Sequence, residues 1–334
     1  MNVRVRAPMR VDFAGGWSDV PTFAAREGGA VVNGAIALFV HVECLMGDNR
    51  IRLRAEDLDA YVSIASPADL VYDGTLDLHK AALNMLPVTG GIEIITRSDA
   101  PGGSGLGASG ALDVALLAGL ARCREEDYPA EELAEMGFQL EAQELGLLGG
   151  RQDQFAAALG GFLDMKFGGE ETAVRALAVS DDHVRDLERH VLIAYTGHSH
   201  FSSATHERVW QGYEREADVA DALRTIRDLA EPAARALEGA RWRELARLVS
   251  ENWAQQQRLD ATISTPRVQG IERAALDAGA WGLKATGAGA GGCLIIMAPP
   301  DRCDAIVAAV TAAGGEVLDV GFAADGVTVE VEES

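Results

Sequence analysis

The segment Pro101-Gly102-Gly103-Ser104-Gly105-Leu106-Gly107-Ala108-Ser109-Gly110-Ala111 packs five glycines and two hydroxyls into eleven residues. A backbone so free of side chains can turn tightly and bring its N–H groups close to an anion. The unpaired amides and positive dipole end of a following helix would favour phosphate. Ser109, where that helix would begin, can either cap it or place a hydroxyl on a phosphate-bound Mg²⁺. The spacing is not G-x-x-x-x-G-K-[ST], since no lysine is near, and it is not the G-x-G-x-x-G of a dinucleotide fold. A second candidate loop, Gly15-Gly16-Trp17-Ser18-Asp19-Val20-Pro21, sets a carboxylate and an indole beside two glycines. Asp19 could accept hydrogen bonds from ligand hydroxyls while Trp17 supplies an apolar face, or Asp19 could cap the next helical turn and Trp17 simply pack. Asp153, in Arg151-Gln152-Asp153-Gln154, opens an apolar helical run and taken alone reads as a helix cap.

These loops need elements to hold them. Gly91–Arg97 is β-branched and strand-like, whereas Leu112–Leu120 is long and rich in Ala and Leu, so the order around the glycine loop is strand, loop, helix. Val3 to Ala14 reads as an edge strand kinked at Ala7-Pro8. Residues 28–46 read as one long strand, or two joined near Asn33-Gly34, and 131–147 as a single helix carrying Glu141 and Glu144 on one face. Residues 202–259 are mostly amphipathic helix. Gly282–Cys293 (GLKATGAGAGGC), ahead of the apolar run Leu294–Met297, has so many small residues that another backbone or a phosphate chain must pass close by. His198, His200 and His206 form the only histidine cluster, with no accompanying ligand set for a metal.

The chain has 334 residues, 48% hydrophobic and 24% charged, enough for two packed domains. A net charge of −22 argues against nucleic acid and anionic membranes as partners. With only Lys80, Lys166 and Lys284 as lysines, arginine must carry most cationic roles. Four scattered cysteines without a CxxC suit a reducing interior, and the start, MNVRVRAPMR, lacks a secretory signal; a cytoplasmic location is expected.

Three separated motifs, A-P-M-R-V-D-F-A-G-G-W-S-D, P-G-G-S-G-L-G-A-S-G-A and K-A-T-G-A-G-A-G-G, together resemble the GHMP kinase superfamily over essentially the whole chain. Within it, A-G-G-W-S-D, E-G-G-A-V-V-N and G-G-R-Q-D-Q-F are similar to sugar kinases acting on D-glycero-D-manno-heptose 7-phosphate and to L-fucokinases. The resemblance implies an α+β fold of two domains. The N-terminal one (1–189) would carry the phosphate loop, and the C-terminal one (190–334) would be ferredoxin-like. It also implies transfer of the ATP γ-phosphoryl group to a sugar hydroxyl, the anomeric one in both relatives. Asp153 matches the aspartate that attracts the hydroxyl proton and Arg10 the arginine paired with it. Asp19 matches the sugar-binding aspartate, with Trp17, Gly16, Gln152 and Arg151 as further acceptor contacts, Arg151 for an acceptor phosphate. ATP would meet Pro101, Gly102, Gly103, Ser104, Gly105, Leu106, Gly107, Ala108, Ser109 and Gly289, and Mg²⁺ would take Ser109 and Glu141, with Glu144 the rival. The implied partners are ATP and a small sugar or sugar phosphate, with a homodimer allowed. The chain departs from the pattern in Ala108-Ser109-Gly110, which leaves one serine where the motif usually ends in Ser-Ser-Ala, and in Trp17, where heptose enzymes often carry glycine. A kinase for a non-sugar alcohol and a silent sugar-binding regulator are the alternatives.

Overall fold

The computed structural model describes residues 1–47, 49–168, 171–198 and 203–332. Its strands are β1 (Asn2–Ala14), β2 (Gly29–Gly47), β3 (Ile51–Ala55), β4 (Ala60–Ile64), β5 (Gly91–Ser98), β6 (Phe162–Gly168), β7 (Glu171–Ala176), β8 (Val191–Tyr195), β9 (Gly282–Ala285), β10 (Cys293–Met297), β11 (Glu316–Leu318) and β12 (Thr328–Glu332). The helices are α1 (Pro21–Glu27), α2 (Asp77–Met85), α3 (Ala108–Cys123), α4 (Ala130–Gln139), α5 (Gln152–Leu159), α6 (Asp181–Glu188), α7 (Ser203–Arg215), α8 (Ala217–Asp228), α9 (Ala230–Glu238), α10 (Trp242–Gln256), α11 (Pro266–Asp277) and α12 (Cys303–Ala312).

Two sheets organise the molecule. The larger runs β12-β1-β2-β5-β3-β4, with β6 on β2 and β7 beyond it; the smaller runs β11-β8-β10-β9, all antiparallel. In the smaller sheet the first strand in sequence lies between the fourth and the third, the ferredoxin-like arrangement, so the α+β fold holds in both halves. β2 is one strand of 19 residues that changes neighbours: Gly29–Gly34 pairs with β6 and Val40–Gly47 with β5. That switch makes room for the glycine loop at the end of β5.

Three expectations need correction. β1 is not an edge over its first half, because β12 pairs with Asn2–Arg6 on the side away from β2, a partner some 320 residues distant that no local pattern reveals. The helix expected over 131–147 ends early: α4 stops at Gln139 and a wider π-helical turn, Leu140–Glu144, replaces its last part. The division at 189/190 does not follow the packing. β12 returns to the first sheet, Trp17, Val20 and Phe23 sit in the core of the smaller sheet, and Leu229 to Val249 contribute to the core of the larger one. Among the described residues no helix is long and apolar enough to cross a membrane.

Candidate active site

From Ala7 onward β1 is buried on both faces, so its alternation no longer separates core from solvent. Arg10 and Asp12, two residues apart, project from the same face. Both are charged, and each must find a partner to be tolerated there.

Arg10, 4% exposed, finds Asp153. Its Nε donates to Asp153 Oδ1 at 2.8 Å, Nη2 lies 2.7 Å from the same oxygen, and Nη1 donates to the Gly105 carbonyl at 2.6 Å. The Arg10 amide donates to the Leu106 carbonyl at 2.9 Å. One side chain thus ties α5 to the glycine loop. Asp153 lies inside the first turn of α5 and caps nothing; its carboxylate is spent on Arg10.

Glycines let α3 come down onto this pair. A Cβ on Gly110 would sit 2.6 Å from Asp153 Cβ and 3.0 Å from the Gln154 amide nitrogen. At Gly107, which caps α3 with φ +77°, it would meet Asp153 Cγ at 3.2 Å and Arg10 Cγ at 3.3 Å. The alanine with which the resembling motif usually ends, at position 110, is therefore excluded by the approach of α5. Ser109 stands one residue inside α3 and is exposed; no side chain caps this helix, which leaves the first-turn amides open to an anion.

Asp12 finds Lys284 of β9. The Lys284 ammonium bonds the Asp12 carboxylate and, at 3.1 Å, the Asp12 carbonyl, with both side chains at most 2% exposed. Burial opposes the charge on Asp12, but the Lys284 and Arg10 cations outweigh it and hold the carboxyl below its usual range. The other Asp12 oxygen accepts from the Gly287 amide at 3.4 Å. The small residues of the third motif meet another backbone, not open space. A Cβ on Gly292 would lie 2.5 Å from the Ser104 carbonyl, and one on Gly105 2.6 Å from the Thr286 carbonyl, while the Cys293 amide donates to Ser104 O at 2.7 Å. Gly289 lines the same cleft, wedged against Ile263 and Gln256.

The cleft between these walls measures about 830 Å³. Asp19 lines it with Gly16, Trp17 and Gln152. Asp19 does not cap α1, the helix that follows it: its Oδ2 accepts from the Gln152 amide, the first of α5, at 3.1 Å, and burial raises its pKa to about 6. Trp17 holds a left-handed φ of +82°, stacks 4.4 Å from His206 and is 5% exposed. A bulky residue in that conformation is strained, and such strain concentrates at ligand sites.

Where the resemblance implies a metal, burial pushes the Glu141 carboxyl up while Ser109 and Gln154 act to hold it down; Gln154 Nε2 donates to Glu141 Oε2 at 3.2 Å. Glu144 is taken up by Tyr72 Oη (3.1 Å) and Asn84 Nδ2 (3.0 Å). The π-helical turn separates the two glutamates that regular α geometry would have kept on one face. Asp113, one turn along α3 from Ser109, is fully buried with neither oxygen hydrogen-bonded, and burial together with the Glu141 charge drives it well above the usual carboxylate range.

Some expected residues stand elsewhere. Arg151 does not line the cleft: its guanidinium lies 4.6 Å over the Phe138 ring, donates to Thr172 Oγ1 at 3.2 Å and faces Glu135 at 3.8 Å. Leu106 is fully buried in the core and offers its carbonyl to Arg10, and Pro101 is exposed outside the cleft lining. Gly102, Gly103, Ser104, Gly105, Gly107, Ala108 and Ser109 do line it. Of the histidine cluster, His206 packs on Trp17, His198 accepts from the Gly292 amide through its carbonyl, and His200 lies outside the described residues. Sequence reasoning assigned no role to Asp12, Lys284 or Asp113. A lone charge inside an apolar run was the available signal at 113, and the presence of only three lysines was the signal at 284.

Residues 70–161 match the family model for the GHMP kinases N terminal domain, and residues 233–316 that for GHMP kinases C terminal. The chain is 28% identical to the D-glycero-alpha-D-manno-heptose 7-phosphate kinase of Campylobacter jejuni, covering 97% of this chain and 98% of that protein. It is 30% identical to the mevalonate kinase of Thermococcus onnurineus over 72% of this chain and 69% of the relative. The solved structure of a D-glycero-D-manno-heptose 1-phosphate kinase from Bacteriodes thetaiotaomicron superposes with a TM-score of 0.84 at 27% identity, covering 99% of this chain and 100% of that one.

Proposed function

Because this chain belongs to the GHMP kinases and is a phosphotransferase of their sugar-kinase kind, we propose that it moves the γ-phosphoryl group of ATP to a monosaccharide hydroxyl, the anomeric C1 hydroxyl of a heptose 7-phosphate or fucose-like sugar. The supporting observation is the Arg10–Asp153 pair, fastened to the glycine loop through Gly105 and facing the same cleft as Asp19. In this reading the open amides of α3 and the loop hold the phosphates. Asp153 accepts the hydrogen bond of the attacking hydroxyl and draws off its proton, while Arg10 orients Asp153 and offsets charge on the group in transfer. Asp19 and Gln152 accept from other sugar hydroxyls.

A divalent cation fits the donors present. Ser109 supplies a hydroxyl and Glu141 a carboxylate, both hard oxygen donors, and Asp113 adds a buried, unpartnered carboxyl nearby. Among the described residues no group of three or more His, Cys, Asp or Glu side chains is arranged to hold a metal alone. That suits Mg²⁺, which keeps waters and takes phosphate oxygens beside one or two protein ligands. When bound, Mg²⁺ would neutralise charge on the β- and γ-phosphates.

The test is a substrate panel of fucose, galactose, heptose 7-phosphate, mevalonate and homoserine with coupled ADP detection. Sugar-dependent ADP release supports the reading; release only with mevalonate or homoserine assigns a non-sugar acceptor, and none with any compound counts against the reading and supports a sugar-binding regulator.

A further inference from the structure

We propose that the acceptor end of the cleft is built for an uncharged sugar with an apolar edge, a methyl in place of a hydroxymethyl, and not for a sugar phosphate. This rests on the sugar-kinase reading above.

The residues outside the described set (Asp48, Gly169, Glu170, Ser199 to Ser202, Glu333 and Ser334) include no lysine or arginine, so every such cation is accounted for. Only two of them, Arg10 and Arg97, line the cleft. Arg10 is committed to Asp153 and the Gly105 carbonyl. Arg97 stands at the end of β5, before the glycine loop, 3.5 Å from Asp99. Arg151 is turned onto Phe138 and Glu135. Burial holds the His206 pKa down at about 4, so this imidazole is neutral at physiological pH. Against these stand Asp19, Asp57, Asp77, Glu141, Glu144 and Asp153, six carboxyl groups lining the cleft. A second phosphate beside that of ATP would meet mostly like charge, with Arg97, itself beside Asp99, the one guanidinium of the lining outside the Arg10–Asp153 pair.

What the acceptor end does offer is acceptors and apolar surface. Gln152, 6% exposed, has an Oε1 without a hydrogen-bond partner, and it lines the cleft with Asp19, so two acceptors await ligand hydroxyls. Leu145, Leu147 and Leu148 line the same cleft, the last two 45% and 47% exposed. Leucines left open in the cleft that also holds Asp19 and Gln152 match a ligand that is polar on one side and apolar on another.

The experiment measures kcat/KM by coupled ADP release for two pairs: L-fucose against L-galactose, which differ only by methyl against hydroxymethyl, and D-glycero-D-manno-heptose against its 7-phosphate. Calorimetric affinities in the presence of a non-hydrolysable ATP analogue accompany them. The expected result is a preference of about tenfold or more for the methyl sugar and for the unphosphorylated heptose, in both rate and affinity. Leu148→Arg should narrow the heptose preference by about tenfold. Equal or better use of the 7-phosphate, or no distinction between fucose and galactose, overturns the proposal while leaving a sugar kinase. No ADP from any sugar, with the analogue still bound, overturns the sugar-kinase reading and the proposal with it.

Discussion

Asp19 is the residue whose chemistry depends most on its surroundings. Burial lifts its pKa to about 6 from an ordinary value of 3.8, so the folded chain holds this proton more tightly than the unfolded one. Its contribution to stability is therefore fully present below the ordinary value and is lost as pH rises through about 6. Asp19→Asn should stabilise the fold at pH 7.5 by about 3 kcal/mol relative to the parent, and much less at pH 4, as read from urea denaturation at both pH values. In the proposed function the ionised form is the one that would accept two sugar hydroxyls. kcat/KM for the sugar should thus fall as pH drops below about 6 while nucleotide affinity holds, and an acid limb nearer 4 would deny Asp19 this role. At this scale much was legible. Arg10, Asp153 and Asp19 were singled out from their motifs, and the fold brings all three to one cleft. Arg151 was not, because its guanidinium is claimed by Phe138, Glu135 and Thr172, residues that become its neighbours only after folding.

The elements act by how closely they approach. α3 and α5 cross where Gly110 leaves no room for a side chain, and this contact sets the distance between the first-turn amides of α3 and Asp153. Gly110→Ala must push α5 aside, because the new carbon would meet Asp153 Cβ at 2.6 Å and backbone at 3.0 Å. We expect a loss of about 1–3 kcal/mol in thermal unfolding and a fall in kcat larger than any change in ATP-analogue affinity. An unchanged kcat would show that the α3–α5 distance does not govern the chemistry. The glycines of the second motif announced a close approach in the sequence, but not which backbone approaches. The Gly282–Cys293 segment left open whether a phosphate or a peptide passes by. For Gly292 the Ser104 carbonyl is the answer, a contact between loops nearly 190 residues apart that spacing cannot encode. The π-helical turn was equally hidden, since 131–147 carries an unbroken helical pattern and only the packing widens its end.

For the molecule as a whole, two sheets must hold one cleft. The Asp12–Lys284 pair joins β1 of the larger sheet to β9 of the smaller, and Asp12 also takes the Gly287 amide. Lys284→Met leaves a buried carboxylate unpaired and should cost about 3–5 kcal/mol, whereas the double variant Asp12→Asn with Lys284→Met should recover much of it. A double variant no better than the single one would mean that the lysine acts by packing alone. None of this pairing could be read from motif spacing, because it joins residues 272 positions apart that come together only when both sheets are complete. The same convergence underlies the central claim: the start of α3 holds a triphosphate whose terminal group faces a carboxylate and a guanidinium brought from two other parts of the chain. The direct measurement is Asp153→Asn, followed by sugar-dependent ADP release and by calorimetric affinity for a non-hydrolysable ATP analogue. We predict a fall in kcat of about a thousandfold or more with nucleotide affinity within about threefold of the parent. Turnover preserved, or turnover and nucleotide affinity lost in equal measure, would contradict it.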